Sequence, residues 1–466
     1  MVSSGPMVSS EGFQHWWADS QPLWRTHAII MFVMARKDIV WNQLGCLMLH
    51  ISGRLADAYL PASETEASIE RGRVYLGNFD VEGKWAAMEG LLLQYAGFED
   101  AARACDYASM GADELRDHFL RAVNMYGLMC SEYRSTGAEE TRLFGEELRR
   151  HLDLEEIQRL DASSPEHVID DERVRFTELL TRRGQDGVTD SELLAHVVDF
   201  PWLAYNLHTP DAVVQFMRDR ALTSSESRGT VGGIEQPAAA PANLPASLRD
   251  TFAVIKAFRT RLKLARASFD FVMIPCFTEV CTRTGMDMEG LMSYYDVDDV
   301  VRLIETGDPL PERELAARRQ SQLLLYGGGV LRRFSGPEAE ATLKKLVSKP
   351  DQRELSGTVA CGAPQRFVSG QAIVLVCDDP ESLRSARERV SPGHIIVTSM
   401  AQFNAIDVVR RAAGLVTDEG GVLCHAAIVA REFGIPCIVG TRNGRTVIED
   451  GATITIDLTL GTIRVS

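Results

Sequence analysis

The segment Thr417–Gly440 (TDEGGVLCHAAIVAREFGIPCIVG) places the strongest constraint on the fold, because it contains signals for four successive elements. It follows an apolar run typical of a strand, and the pair Gly420-Gly421 predicts a turn that side chains would obstruct. The alanine-rich run that begins at His425 predicts a helix, which Gly434 ends. The β-branched run Ile435–Val439 then predicts a buried strand.

His425 stands where this predicted helix begins. A helix N-terminus presents unpaired backbone N–H groups and the positive end of the helix dipole, which together favour an anion. The dipole favours a neutral, nucleophilic imidazole, and a phosphoryl group on that imidazole would meet the N–H donors. The residues alone leave two alternatives open, a histidine that forms a covalent phosphoryl intermediate and a structural histidine in front of a helix.

The segment resembles the phosphohistidine, or swivelling, domain of the phosphoenolpyruvate synthase, pyruvate phosphate dikinase and rifampin phosphotransferase group. The residues that carry the resemblance are T-D-x-G-G before Cys424-His425, then H-A-A-I-V-A-R-E, then G-I-P-x-I-V-G. The resemblance extends back to about Gly357 and onward to Val465. It implies a β/β/α swivelling fold and a His425 that is phosphorylated during turnover.

The resemblance also implies roles for the neighbours of His425. The phosphoryl group would be bound by the backbone groups of Gly420, Gly421 and Ala426. The hydroxyl of Thr417 would support them. We interpret Cys424 as a small packed residue and predict no metal site, because one cysteine beside one histidine is not a ligand set. Arg431 and Glu432 are predicted to fix the helix rather than to contact substrate.

Composition limits the class of protein. A chain of 466 residues predicts two or three domains. The net charge of -16 argues against a nucleic-acid partner, which would need a basic face. The nine cysteines form no C-x-x-C pair, which indicates reduced thiols and a cytoplasmic location. We see neither a signal peptide nor an apolar run that could span a membrane.

We predict a multidomain protein with a large, mostly α-helical N-terminal domain and a C-terminal phosphohistidine domain. Residues 1–20 are expected to be a flexible leader. Residues 21–347 are expected to form the helical domain, whose short motifs resemble the substrate-binding region of rifampin phosphotransferase. Within it, the Ser-, Gly-, Ala- and Pro-rich residues 223–245 predict a loop or linker. Residues 348–356 are predicted to be a hinge, and residues 357–466 the phosphohistidine domain.

Helical periodicity is the main signal in the N-terminal region. One apolar stripe has helical spacing and consists of Leu115, Phe119, Val123, Tyr126 and Cys130. Lys84–Phe98 is apolar on most sides, which predicts a well-buried helix. A stripe from Leu248 to Leu262 has basic residues on its other faces, and these are either a solvated surface or phosphoryl ligands. We name Arg259 and Arg73 as candidate substrate ligands, with a surface arginine at a helix end as the alternative for Arg73.

After residue 350 the sequence pattern changes from mostly helical to a mixture of strands and helices. Six segments are predicted to be strands: Ala372–Cys377, Ile395–Thr398, Gly414–Thr417, Ile435–Val439, Ile454–Asp457 and Thr462–Val465. Three are predicted to be helices: Glu381–Val390, Gln402–Ala412 and Ala426–Phe433. Alternating strands and helices in a compact terminal segment indicate an α/β domain.

The sequence contains neither a G-x-x-x-x-G-K-[ST] phosphate loop nor the eightfold repetition of a (β/α)₈ barrel. We therefore expect a separate ATP-grasp protein to supply ATP and Mg²⁺, with no cofactor held tightly by this chain. The expected activity is a phosphotransferase that passes a phosphoryl group from His425 to a small-molecule acceptor in the helical domain. Two alternatives stay open, a non-catalytic phosphocarrier and an enzyme that uses phosphorylation to activate its substrate for dehydration or condensation.

Overall fold

The computed structural model describes most of the chain. The described residues are 12–39, 43–53, 55–134, 138–153, 156–157, 160, 167–184, 187–226, 244–347, 354–377, 379–401, 405–422 and 424–466. They divide into a sheet-containing unit and a helical unit. The first comprises Met1–Asn78, Arg134–Glu147 and Leu310–Ser466, and the second comprises Phe79–Tyr133 and Leu148–Pro309. Most of the predicted leader, linker and hinge lies outside the described residues.

The first unit contains an antiparallel five-stranded sheet. Its strands are β1 (Phe13–Ser20), β2 (Cys46–Ser52), β3 (Leu55–Pro61), β4 (Gln322–Gly327) and β5 (Val330–Ser335), in the spatial order β1-β3-β2-β4-β5. One face of the sheet is packed against the helix Gly336–Leu346. The other helices of this region are Leu23–Ala35, Ala62–Gly77, Ala138–Leu148 and Glu312–Gln320.

Sequence patterns did not predict this sheet, and residues 13–20, which we had placed in the leader, form strand β1. The segments β2 (CLMLHIS) and β4 (QLLLYG) are rich in leucine, which favours helix as strongly as strand. Their pairing with each other also joins distant parts of the chain, since Ile51 of β2 lies opposite Gln322 of β4. Long-range pairing therefore overrode the local preference.

The first unit also contains an eight-stranded mixed sheet. Its strands are β6 (Glu354–Ser356), β7 (Thr358–Cys361), β8 (Phe367–Leu375), β9 (His394–Thr398), β10 (Gly414–Thr417), β11 (Cys437–Val439), β12 (Thr453–Asp457) and β13 (Thr462–Val465). The spatial order is β6-β13-β12-β8-β9-β10-β11-β7. Strands β8 to β11 are mutually parallel, and the remaining pairs are antiparallel. All six predicted strands are confirmed, whereas β6 occupies residues that we had placed in the hinge.

Four helices accompany this sheet: Pro380–Arg389, Ile406–Val409, His425–Glu432 and Gly444–Val447. The first three connect consecutive parallel strands and pack on one face, where Leu415 of β10 is buried. On the other face Val416 is buried among residues of β12 and β13. A strand covered on both faces is expected to be apolar along its whole length, as β10 is. The predicted helices Glu381–Val390 and Ala426–Phe433 agree with the observed ones to within one residue, whereas the described part of the predicted helix Gln402–Ala412 is α-helical only at Ile406–Val409.

The second unit is helical. Its α-helices are Val81–Ala104, Ala112–Arg134, His167–Arg183, Asp190–Asp199, Pro210–Glu226, Ala246–Ala257, Lys263–Thr284, Met288–Tyr294 and Val297–Thr306, with a π-helical turn at Phe258–Leu262 and 3₁₀ turns at Tyr107–Ser109 and Pro201–Ala204. The predicted stripe from Leu115 to Cys130 is buried as expected. Among the described residues of either unit, no helix is both long and apolar enough to cross a membrane.

The prediction that Lys84–Phe98 is well buried was wrong. Within the helix Val81–Ala104, Met88, Leu91 and Tyr95 are buried, whereas Leu93 is 76% exposed and Trp85 is 42% exposed. Consecutive helix positions point about 100° apart, so the run Leu91–Leu93 cannot face the core at every position, and only one face of the helix is buried.

A buried ionic network connects three helices of the second unit. Glu172 is 1% exposed and accepts hydrogen bonds from Arg220 Nη1 and Nη2, at 2.6 and 2.8 Å. His196 Nε2 lies 2.8 Å from the same carboxylate. A buried carboxylate needs such partners, so the three helices that carry these residues are held in one arrangement.

Candidate functional site

His425 is the first residue of the helix His425–Glu432, which follows strand β10. Strand β10 lies between β9 and β11, and all three run parallel, so the loop before His425 leaves the sheet at the carboxyl ends of parallel strands. Ligands of open α/β sheets bind at this edge. The sequence-based placement of His425 at a helix N-terminus after a strand is confirmed.

The loop between β10 and the helix is too tight for side chains at Gly420. This residue has a φ of 102°, and a Cβ atom there would lie 2.6 Å from Cys424 Sγ. Gly440, after β11, approaches the same loop, since a Cβ atom there would lie 2.9 Å from the Gly420 oxygen. The predicted glycine turn is therefore confirmed, and Cys424 is a buried residue packed within it.

Asp418 organises this edge of the sheet. Its side chain is buried and accepts a hydrogen bond from Thr441 Oγ1 at 2.7 Å. It also accepts hydrogen bonds from the backbone N–H groups of Gly444 and Arg445, which begin the short helix Gly444–Val447. Burial raises the pKa of the Asp418 carboxyl, and these donors oppose that rise only in part. One carboxyl group thus joins the loop after β10 to the loop after β11.

Arg431 lies in the last turn of the His425 helix and contacts the loop in front of that helix. Its Nη1 donates a hydrogen bond to the carbonyl of Val422 at 2.6 Å and lies 3.5 Å from the carbonyl of Ala360. This contact agrees with the sequence-based expectation that Arg431 fixes the helix. A guanidinium with several fixed donors is suited to holding backbone carbonyls in place.

Among the predicted phosphate ligands, Thr417 is fully buried and its hydroxyl donates to the Glu419 carbonyl at 2.7 Å. A hydroxyl has one hydrogen to donate, and the Glu419 carbonyl accepts it. In this structure Thr417 therefore holds the loop and does not have that hydrogen available for a phosphoryl oxygen. Of the predicted backbone ligands, Gly421 accepts a hydrogen bond from Cys424 N–H at 3.0 Å just before the helix begins, and Ala426 lies in the first turn of that helix.

The start of the helix has donors available for an anion. Cys424 is the N-cap residue, and its side chain makes no capping hydrogen bond. The N–H groups of the first turn have no carbonyl acceptor within an α-helix, and Ala426 lies in that turn. An anion at this end would therefore be stabilised by backbone hydrogen bonds and by the helix dipole.

The two arginines predicted to bind substrate have other contacts. Arg73 lies on the exposed side of the helix Ala62–Gly77 and forms an ion pair with Glu70 at 3.2 Å, which is the surface alternative. Arg259 belongs to the helical unit, where its guanidinium lies 5.3 Å from the ring centroid of Tyr133 and donates to the Tyr133 hydroxyl at 3.3 Å. Both residues stay predictions as substrate ligands.

Comparison with known families agrees with this geometry. Residues 390–461, which run from the end of the helix Pro380–Arg389 to the turn before β13, match the family described as PEP-utilising enzyme, mobile domain. The chain therefore contains a segment that is similar to the mobile domain of PEP-utilising enzymes. We refer to its eight-stranded sheet and the accompanying helices, residues 354–466, as the mobile domain.

Several curated proteins are similar to this chain over a limited part of its length. A probable phosphoenolpyruvate synthase of Archaeoglobus fulgidus is 37% identical over 117 residues, which are 24% of this chain and 15% of that protein. The phosphoenolpyruvate synthase of Pyrococcus furiosus is 45% identical over 126 residues, 27% of this chain and 13% of that protein. The aligned part is thus a small fraction of each relative.

Sequence reasoning did not assign a role to Asp418 or Arg445. Asp418 stands inside the T-D-x-G-G run, and the signal that could have revealed it is a charged residue directly after an apolar strand. Arg445 has no comparable signal, because its partners come from three different parts of the chain: Asp418, Ser399 and Asp57.

Proposed function

We propose that this chain is a phosphotransferase that carries a phosphoryl group on His425 between a nucleotide site and a small-molecule acceptor. The observation that supports this most directly is the position of His425, at the uncapped start of a helix within the matched mobile domain. The helix start can stabilise the added negative charge, and the tight loop held by Asp418 and Arg431 fixes the backbone around it.

The reaction has two transfers. In the first, an imidazole nitrogen of His425 forms a bond to phosphorus while the bond from phosphorus to the donor oxygen breaks. The resemblance to dikinases implies that ATP and water then yield AMP, phosphate and the phosphohistidine. In the second, an acceptor oxygen attacks, and the phosphorus–nitrogen bond breaks. Both steps depend mainly on positioning and charge stabilisation.

We further propose that a separate ATP-grasp protein holds ATP and Mg²⁺, and that the helical unit holds the acceptor. What supports the first proposal is that the described part of the second unit is helical, whereas ATP-grasp modules are rich in strands. The second follows from the resemblance of that region to the substrate-binding region of rifampin phosphotransferase. Transfer between the two places requires the mobile domain to move from one to the other.

The test is to incubate the purified chain with ATP labelled at the β-phosphate, with and without the ATP-grasp protein encoded nearest its gene. The readout is acid-labile, base-stable label on wild type, on His425→Ala and on the control His394→Gln, which changes another histidine of the same domain. Label that requires the partner and is lost only in His425→Ala supports the proposal. Label without the partner places the nucleotide site in this chain, and label that persists in His425→Ala overturns the role of His425.

A further inference from the structure

A cluster of four charged or titratable side chains joins the five-stranded sheet to the mobile domain. His15 in β1 and Asp57 in β3 belong to the five-stranded sheet, whereas Arg445 and Asp418 belong to the mobile domain. Arg445 Nη2 donates to Asp57 Oδ1, and the side chains of this pair are only 12% and 13% exposed. His15 Nε2 lies 3.1 Å from the same carboxylate oxygen.

The second ring nitrogen of His15 contacts the mobile domain directly. His15 Nδ1 lies 3.0 Å from the backbone carbonyl of Arg442, and the His15 side chain is 4% exposed. A carboxylate and a carbonyl can only accept hydrogen bonds, so both ring nitrogens must donate. A neutral imidazole has one N–H donor and a protonated one has two. The complete set of hydrogen bonds therefore requires a protonated His15.

The surroundings of His15 favour the same protonation state. Burial lowers the pKa of His15, but the hydrogen bond that the ring donates to Asp57 and the negative charges of Asp57 and Asp418 raise the pKa by more, so it lies above its usual value. The other groups that face the cluster are Tyr59, whose ring stands edge-on to the imidazole, and His50, which is opposite Asp57 in the sheet. Burial lowers the pKa of His50, which favours its neutral form.

The cluster is charge-balanced only when His15 is protonated. The two carboxylates of Asp57 and Asp418 are then matched by two cations, His15 and Arg445. Loss of the His15 proton removes one of the two hydrogen bonds of the ring, to Asp57 or to the Arg442 carbonyl, and leaves one buried negative charge without compensation, which is costly. Arg445 also binds the Asp418 carboxylate through its backbone N–H at 3.1 Å, and Asp418 begins the loop that leads to His425.

We propose that His15, Asp57 and Arg445 form a proton-dependent latch that holds the mobile domain on the five-stranded sheet. Protonation of His15 closes the latch, and deprotonation weakens it and releases the domain. The latch rests on the proposed function in one respect, because a domain that carries a phosphoryl group must leave one docking place to reach another. His15 and Asp57 are thus positioning residues for the transfer, acting through the location of the mobile domain.

The test is hydrogen exchange of the full chain, measured without ATP or acceptor so that its outcome is independent of phosphoryl transfer. Amide protection of residues 13–17 and 441–447, corrected for intrinsic exchange rates, is compared at about pH 6 and about pH 8. In wild type we expect protection to fall about tenfold with the rise in pH, because the raised pKa of His15 links its protonation to docking. His15→Gln and Asp57→Asn should show low protection at both values, and the control Arg389→Gln, which breaks an ion pair within the mobile domain, should behave as wild type.

A titration of the His15 ring by NMR supplies a second measurement that does not depend on variants of His15. The pKa should lie above about 6.5 in wild type and fall in Asp57→Asn. The latch is overturned if His15→Gln keeps the wild-type protection and its pH response, or if His15 titrates at or below its ordinary value. Thermal unfolding of each variant distinguishes loss of docking from loss of the fold.

Discussion

Arg431 donates a hydrogen bond of 2.6 Å to the carbonyl of Val422, so the last turn of the His425 helix is tied to the loop in front of its first turn. The helix and the loop are therefore one mechanical unit. A nucleophile at the helix start benefits because its backbone surroundings are fixed before the phosphoryl group arrives.

Replacing Arg431 with lysine should loosen this loop. Lysine keeps the charge but lacks the planar guanidinium, and the buried Val422 carbonyl loses its donor. We expect the rate of His425 phosphorylation to fall by about tenfold to a hundredfold, as misplacement near a reacting group commonly causes. The matched control is Arg384→Lys on an exposed face of the same domain, and equal losses in both variants would contradict the role of Arg431.

Replacing Gly420 with alanine should strain the loop. Its φ of 102° disfavours a side chain, and the added Cβ would lie 2.6 Å from Cys424 Sγ. We expect the mobile domain to lose about 1–3 kcal/mol of unfolding free energy and His425 phosphorylation to drop sharply.

Gly434→Ala is the control for that variant. Gly434 also has a positive φ, of 65°, but a Cβ there has nothing within 4 Å. Gly434→Ala should lower the free energy of unfolding by about 1–2 kcal/mol, because only the left-handed backbone conformation is unfavourable for alanine. Phosphorylation of His425 should be retained. Thermal melting and label incorporation, measured on both variants, separate the steric effect from the backbone one.

Replacing Asp418 with asparagine should destabilise the mobile domain. The carboxylate is buried and accepts hydrogen bonds from Thr441, Gly444 and Arg445, and an amide cannot accept them all. We expect a loss of about 2–4 kcal/mol, measured by urea unfolding. Asp407→Asn removes a partly exposed ion pair with Arg387 and should change stability by less than about 1 kcal/mol.

Acid should destabilise the helical unit through Glu172. Burial raises the pKa of this carboxyl, but hydrogen bonds from His196 and Arg220 lower it by more, so the folded value lies below the ordinary one. A depressed folded pKa contributes stability above the unfolded value of about 4.3, and this contribution disappears as the pH falls through the folded value.

The corresponding variant is Glu172→Gln, for which we expect a loss of about 3–5 kcal/mol at neutral pH, because Arg220 and His196 lose their buried partner. Its stability should depend less on pH than that of wild type in the acid range. Melting curves followed by circular dichroism over that range test both statements. Glu178→Gln, at an exposed carboxylate of the same helix, is the control.

Local patterns predicted the mobile domain well and the rest of the first unit poorly. The run from Thr417 to Gly440 combines glycines, a helix-forming stretch and β-branched residues, so each element is specified by its own sequence. Strands β2 and β4 are instead leucine-rich, and their extended conformation depends on their pairing with each other. Side-chain partnerships such as that of Asp57 and Arg445 have no local signature, because they depend on how two sheets meet.

The pairing of β2 with β4 has a consequence for synthesis on the ribosome. Strands β1 to β3 emerge early, but the edge of β2 has no partner until the chain has been extended through residues 322–327. An unpaired apolar edge is a template for wrong associations during that interval. Nascent chains halted before β4 should therefore need chaperones or aggregate, whereas the mobile domain, whose strands are close together in sequence, can fold soon after it leaves the exit tunnel.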